Sequence, residues 1–169
     1  PILVFSQTMP KVAIAPLFLI WFGFGYFPKI IISFLIAFFP IVVSTATGLD
    51  SVEREMLELI RSLSTRTSQI FTKVRIPAAL PYIFSGLKVS ITLSVIGAIV
   101  GEFVGSDKGL GYLILVANSD MDSALLMPVL VVLAFIGFLL FQIVCFLERK
   151  LMPWHESVKV KASTTEYTY

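Results

Sequence analysis

The chain has 169 residues, of which 57% are hydrophobic and 14% are charged, and its formal net charge is +2. With a mean hydropathy of +0.92, this composition argues against a soluble domain and is typical of a polytopic membrane protein. The small net charge argues against a basic nucleic-acid surface, and the single cysteine, Cys145, excludes an internal disulfide.

Four apolar runs predict membrane-spanning helices; about 20 apolar residues cross a hydrocarbon core, and the first run, at 12–27, is marginal in length. The four runs cover residues about 12–27, 30–47, 82–105 and 125–147. A short turn predicted at Pro28 and Lys29 makes the first two runs an antiparallel pair. The sequence therefore predicts an all-α fold, a polytopic transmembrane helical bundle.

The other segments outside these runs are short or polar. The apolar stretch at 112–117 predicts a re-entrant or surface helix within the loop 106–124. The polar tail at 157–169 predicts disorder. The chain starts at Pro1 rather than Met, so we expect the natural N-terminus to lie upstream.

A charged segment, residues 50–77, lies between the second and third apolar runs and predicts two short helices. Apolar residues at helical spacing form one stripe of the first helix, namely Val52, Met56, Leu59, Ile60 and Leu63. On its polar face, Arg54 and Arg61 are spaced for ion pairs with Glu58. The Ser/Thr-rich run at 64–68 should break this helix, and Pro77 should stop the second one. The apolar side of the second helix consists of Ile70, Phe71 and Val74.

Small residues recur at every fourth position of the third run, a pattern that lets membrane helices approach closely. One predicted stripe contains Gly86, Ser90, Ser94 and Ala98, and the other contains Gly97, Gly101 and Gly105. Lys88 is expected to snorkel toward the interface. Glu102 is the one carboxylate of the sequence expected to be able to lie at membrane depth, and three roles stay open for it: the transport pathway, interfacial solvation or a structural hydrogen bond.

Lysine and arginine are unevenly divided between the two sides of the four predicted spans. One side holds ten of them: Lys11, Arg54, Arg61, Arg66, Lys73, Arg75, Arg149, Lys150, Lys159 and Lys161. The other side holds Lys29 and Lys108. The positive-inside rule places the ten-cation side in the cytoplasm, together with residues 50–77 and the C-terminus.

Within the charged segment, Glu58 is followed six residues later by Ser64, and after nine more residues by Val-Arg-Ile-Pro at 74–77. This pattern resembles the EAA signature of binding-protein-dependent ABC transporter permeases, and the spacing matches throughout. Two positions depart from the signature, because Leu59 and Ile60 replace its two alanines and Ser64 replaces its glycine.

Two further stretches extend the resemblance toward one branch of this family. The sequences WFGFG at 21–25 and LERKLMPWHE at 147–156 look like the nitrate/sulfonate/taurine/bicarbonate branch. The resemblance covers residues 1–156 and implies a type-1 importer permease fold with six spans, of which the first two would be missing here. It implies import of a small solute, either a nitrate-, sulfonate- or taurine-like anion or a molecule like a vitamin precursor.

The resemblance also implies partners and coupling residues. A second permease chain would complete the pore as a homodimer, a cytoplasmic ABC ATPase dimer would grip the segment 50–77, and an extracytoplasmic solute-binding protein would deliver the solute. The coupling residues would be Glu58, Arg61, Ser64, Ile70, Val74 and Pro77. The sequence has no phosphate loop, nucleophile constellation or metal cluster, so we expect no enzyme activity or cofactor, with ATP bound by the partner.

Three alternatives remain at the level of the sequence. The chain could be a secondary transporter or channel subunit, which would favour paired intramembrane charges or matching broken helices. It could be an inactive, truncated membrane scaffold. The charged segment itself could be an amphipathic helix lying on the membrane surface rather than a docking site.

Overall fold

The computed structural model describes residues 10–62 and 66–152, and these residues form helices, turns and bends without a strand. After a 3-10 turn at Lys11–Ile14, the order is α1 (Ala15–Phe22), α2 (Tyr26–Asp50), α3 (Arg54–Ser62), α4 (Thr67–Ile70), a π-helical turn (Phe71–Arg75), α5 (Ile76–Gly105), α6 (Leu110–Ser119) and α7 (Ser123–Leu151). The predicted all-α class is confirmed.

Three helical stretches are long and apolar enough to cross a membrane: Tyr26–Asp50, Thr67–Gly105 and Ser123–Leu151. The predicted spans at 30–47, 82–105 and 125–147 lie inside them. The short helix predicted at 112–117 corresponds to α6, which is ten residues long. Many large apolar side chains on the three long helices are exposed, as expected for helices that face lipid or another subunit.

The N-terminal region differs from the prediction of one span at 12–27 and a turn at Pro28 and Lys29. The chain turns at residues 23–25, because Gly23 adopts a left-handed φ of 72° and its N–H closes α1 on the carbonyl of Leu19. Pro28 lies in the first turn of α2, where a missing N–H breaks no intrahelical hydrogen bond. The apolar helix before this turn, Lys11–Phe22, is shorter than a membrane span.

Pro77 does not stop a helix, contrary to the prediction. The helix that begins at Thr67 continues through a π-helical turn into α5, and the whole stretch Thr67–Gly105 is 39 residues long. In the turn, the N–H of Ile76 reaches back to the carbonyl of Phe71. The π-helical turn ends just before Pro77, which has no N–H to donate. The helix therefore accommodates the proline and continues.

The helices α2 and α5 pack in antiparallel fashion through a single row of small residues on α5. Four residues of this row, Gly86, Ser90, Gly97 and Gly101, face α2, and the fifth, Gly105, faces Leu19 of α1. A Cβ atom added to Gly97 would lie 2.6 Å from the Cα of Ser33, and one added to Gly101 would lie 3.1 Å from the Cα of Lys29. The backbones are therefore close enough that the contact requires glycine.

The row combines members of both predicted stripes and leaves out Ser94. Successive members are four, seven, four and four residues apart, which keeps them on one side of a helix of 3.6 residues per turn. The hydroxyl of Ser90 donates to the carbonyl of Ala37 across the interface at 2.6 Å. The hydroxyl of Ser94 instead donates to Ile91 of its own helix, so Ser94 is not part of the α2–α5 contact row.

The C-terminal end of α7 packs against the first half of α5. Phe84, Val144 and Met152 form a buried cluster, with Leu80, Leu87 and Ile91 packed around it. Beside this cluster, the Lys88 ammonium lies 2.6 Å from a carboxylate oxygen of Glu148. Lys88 therefore pairs with a neighbouring helix, whereas the sequence predicted that it would snorkel.

We expect the N-terminus of α7 to depend on Asp122. Its Oδ1 atom accepts hydrogen bonds from the N–H groups of Ala124 at 2.9 Å and Leu125 at 3.1 Å. Asp122→Ala should lower the free energy of unfolding by about 1 kcal/mol, because two N–H groups lose their acceptor. Thermal melting of the detergent-solubilised protein measures the loss. Asp120→Ala, at the C-terminal end of α6, is the matched control and should be neutral.

Candidate functional site

The coupling residues predicted on α3 are exposed at one end of the molecule. The side chains of Glu58 and Arg61 are both exposed. Ser64 lies outside the described residues. The predicted ion pairs of Glu58 with Arg54 and Arg61 are absent, since the single ion pair within residues 10–62 and 66–152 joins Lys88 to Glu148. Solvation of exposed charges outweighs pairs worth only a few tenths of a kcal/mol, so these side chains stay solvated.

Two residues of the predicted apolar stripe, Met56 and Leu59, face outward on α3. Leu57 is the residue that packs inward, with 8% of its surface exposed, whereas Met56 is 53% exposed and Leu59 is 65% exposed. One residue corresponds to about 100° around a helix. The buried face of α3, marked by Leu57, is therefore rotated away from the predicted apolar stripe. As a result, the side chains of Met56 and Leu59 are exposed close to Glu58.

The coupling residues predicted after the break occupy more internal positions. Ile70 is buried with 5% of its surface exposed, and Val74 and Pro77 are half-buried. On the same stretch, Phe71 is 45% exposed. These residues belong to the continuous helix that includes α5, so they connect the exposed end of the molecule to a membrane-length helix.

Basic side chains cluster at the end of the bundle where α2 ends, α5 begins and α7 ends. Within the described residues they are Arg54, Arg61, Arg66, Lys73, Arg75, Arg149 and Lys150. Lys11, which the sequence placed with them, lies elsewhere. Its ammonium is 4.2 Å from the ring centroid of Phe39, in the middle of α2.

At the opposite end of the bundle, Glu102 holds the start of α6. One of its carboxylate oxygens accepts a hydrogen bond from the N–H of Gly111 at 2.6 Å. Gly109, with a φ of 124°, brings the backbone against the same carboxylate, where a Cβ atom would collide with it. A carboxylate at a helix N-terminus is favourable, so the geometry gives Glu102 a structural hydrogen bond.

Lys29 and Glu102 both line a polar cleft of about 410 Å³ at this end of the bundle. The ammonium of Lys29 donates to the hydroxyl of Ser106 at 2.7 Å and lies 5.6 Å from the ring centroid of Tyr26. The hydroxyl of Ser106 in turn donates to the carbonyl of Lys108. Sequence reasoning counted Lys29 only as a loop charge, although a lysine in the first turn of an apolar helix is itself a signal of a polar site.

Within the described ranges 10–62 and 66–152, the structure has no group of three His, Cys, Asp or Glu side chains that could hold a metal ion. His155 lies outside these ranges. The structure has two candidate sites: an exposed charged and apolar surface at one end and a polar cleft at the other.

Comparison with known proteins assigns this chain to a family. A family model described as "Binding-protein-dependent transport system inner membrane component" matches residues 1–153. A formylaminopyrimidine transport permease protein of Halalkalibacterium halodurans is 37% identical over 92% of this chain and 62% of its own length. A riboflavin transport system permease protein of Chloroflexus aurantiacus is 38% identical over 93% of this chain and 59% of its own length.

A taurine transport system permease protein of Escherichia coli is 31% identical over 94% of this chain and 58% of its own length. The chain thus spans 58% to 62% of the length of these three relatives. The resemblance to ABC transporter permeases is confirmed by the family model and by these relatives. The chain belongs to the family of binding-protein-dependent transport system inner membrane components.

Proposed function

We propose that this chain is the transmembrane permease subunit of an ATP-driven, binding-protein-dependent importer, and that α3 is the surface on which a cytoplasmic ATPase docks. The observation that carries the proposal is the exposed patch of Met56, Glu58, Leu59 and Arg61 on α3. Apolar side chains ringed by charges are typical of a helix that fits a partner's groove.

The distribution of charge supports the proposed orientation. The α3 end of the bundle carries the basic cluster, whereas Asp107, Asp120 and Asp122 lie toward the other end. By the positive-inside rule the basic end faces the cytoplasm, where an ATPase dimer would bind and hydrolyse ATP. The outer end would receive solute from a binding protein, and a second copy of the permease would complete the pore in the cell membrane.

The path for transmission is the helix Thr67–Gly105. Its buried Ile70 and half-buried Val74 precede Pro77 without a loop between them and α5. A displacement of the docking end would therefore reach the membrane as rigid-body motion of a helix, the form of movement that alternating access requires. Ser64, between α3 and α4, would join the two parts of this coupling segment.

The transported molecule is proposed from the relatives. The names of the three relatives give formylaminopyrimidine, riboflavin and taurine as cargo. We accordingly propose a small polar organic solute for this chain.

The docking proposal predicts that α3 variants lose the ATPase. Glu58→Lys and Leu59→Glu should each lower recovery of the ATPase in a pull-down from membranes by at least about tenfold, a loss of about 1.4 kcal/mol that is modest for an interface anchor. Solute uptake should fall in parallel.

Glu53→Lys is the matched control, because it reverses an exposed charge immediately before α3 and should leave ATPase recovery unchanged. Normal recovery and uptake in Glu58→Lys would remove Glu58 from the interface. Normal recovery in both α3 variants would favour the alternative in which this helix lies on the membrane surface.

A further inference from the structure

We propose that a groove beside the α2–α5 contact is this subunit's part of the solute pathway, and that Lys29 at its outer mouth selects small organic anions. The inference rests on the proposed function as a permease and adds a route and a class of solute. The groove is lined by Tyr26, Lys29 and Ser33 from α2 and by Ser94, Ala98 and Glu102 from α5.

The groove is continuous with the polar cleft at the outer end. A space of about 450 Å³ runs along α2 and α5 to the depth of Ala37. It shares Tyr26, Lys29 and Glu102 with the outer cleft of about 410 Å³. A third space of about 290 Å³ meets it at Ser94, Ala98 and Glu102 from the side of α7. These volumes are in the range of small-molecule binding sites.

The positions of the small residues explain why the groove is open. Glycines at 86, 97 and 101 draw the backbones of α2 and α5 together along one row. Ser94 and Ala98 lie beside that row, and with Glu102 they follow each other at intervals of four residues along the groove. The short side chains of Ser94 and Ala98 leave space where larger residues would fill the angle between the helices.

The charges at the mouth favour an anion. The ammonium of Lys29 is held by the neutral hydroxyl of Ser106, and within the described parts of the chain no carboxylate lies within ion-pair distance of it. The carboxylate of Glu102 is engaged by the N–H of Gly111 at the start of α6, which offsets its charge. Asp107 and Lys108 at the rim are both exposed and of opposite sign. A cation with a neutral partner in a cleft concentrates anions there.

Cysteine labelling of the intact transporter in membranes tests whether the groove is water-filled. In a Cys145→Ala background, Ala98→Cys should react with the anionic reagent methanethiosulfonate ethylsulfonate at least about tenfold faster than Ile96→Cys, because thiolates do not form in lipid. Ile96 is a stringent control on the same helix, since it is 47% exposed and lies along a different cleft, which neither Lys29 nor Glu102 lines. Ser94→Cys provides a second groove position.

The role of Lys29 is tested by comparing anionic and cationic reagents at Ala98→Cys. Lys29→Gln should lower the rate with the ethylsulfonate reagent about fivefold, without lowering the rate with the ethyltrimethylammonium analogue. Lys29→Arg keeps the charge and should keep the ratio of the two rates. Rates are measured with and without ATP, and each variant is first shown to recover the ATPase normally.

Two results would overturn the inference. If Ile96→Cys reacts as fast as both groove positions in every state, the groove is not a distinct water-filled route. If Lys29→Gln leaves the ratio of anionic to cationic rates unchanged, Lys29 does not select anions. Either result, obtained with normal ATPase recovery, does not contradict the docking role of α3. Conversely, loss of ATPase docking in Glu58→Lys with normal labelling does not contradict the proposed groove.

Discussion

Gly97→Ala is expected to lower the free energy of unfolding by about 3 kcal/mol or more, a large cost for a single methyl group. The new Cβ atom would lie 2.6 Å from the Cα of Ser33 and 3.2 Å from its N atom. Both are backbone atoms, so no side chain can rotate away, and α2 and α5 would have to separate. Thermal melting of the detergent-solubilised protein and the yield of folded protein in membranes measure the effect.

Gly137→Ala is the matched control. Gly137 lies in α7, another of the membrane-length apolar helices, and a Cβ atom there would meet nothing within 4 Å. The same substitution at this position should be neutral or stabilising by up to about 1 kcal/mol, because alanine is the better helix former. Equal melting temperatures for the two variants would show that the glycine row does not set the α2–α5 distance.

Reversal of one charge at the interface of α5 and α7 is expected to have an effect of similar size. The ammonium of Lys88 and the carboxylate of Glu148 are 2.6 Å apart, and their side chains are 26% and 13% exposed. Lys88→Glu or Glu148→Lys would place two like charges together in a poorly solvated site. We expect each to cost about 2–4 kcal/mol, somewhat less than the roughly 3–5 kcal/mol for a fully buried pair, because water still reaches Lys88. Melting temperature and solute uptake report the loss.

The exchanged double variant, Lys88→Glu with Glu148→Lys, separates pairing from other effects of substitution. It restores an opposite pair and should recover at least half of the lost melting temperature. Lys150→Glu, an exposed position two residues after Glu148, should change stability by no more than about 0.5 kcal/mol. Additive losses in the double variant would mean that the two side chains stabilise the fold independently.

Long apolar runs made three membrane helices predictable, because each is 25 residues or longer and its composition leaves no soluble alternative. The turn near the N-terminus was misplaced for a physical reason. Pro28 and Lys29 have the composition of a turn, but proline is tolerated in a first helical turn, and the left-handed conformation of Gly23 makes the break. The predicted helix end at Pro77 was wrong for a similar reason, since a π-helical turn before Pro77 accommodates its ring.

The candidate surfaces were predictable to different degrees. The spacing of Glu58 and Pro77 located the coupling segment, but helical periodicity alone could not tell that Leu57, rather than Met56 or Leu59, faces inward. That choice depends on which neighbours α3 meets in three dimensions. The pairing of Lys88 with Glu148 is likewise a tertiary contact, across 60 residues of sequence, which no local pattern encodes.

The uninterrupted helix Thr67–Gly105 has a consequence for the scale of movement. Its 39 residues correspond to about 58 Å at 1.5 Å per residue, which exceeds the 40–45 Å of a bilayer including its headgroups. The helix therefore has about 13 Å to project beyond the lipid. If it pivots at its inner end, a tilt of only about 5° moves its outer end by about 5 Å, comparable to one full helical turn. Small changes in angle where the chain enters the membrane are thus enough to shift Glu102 by the width of a small solute.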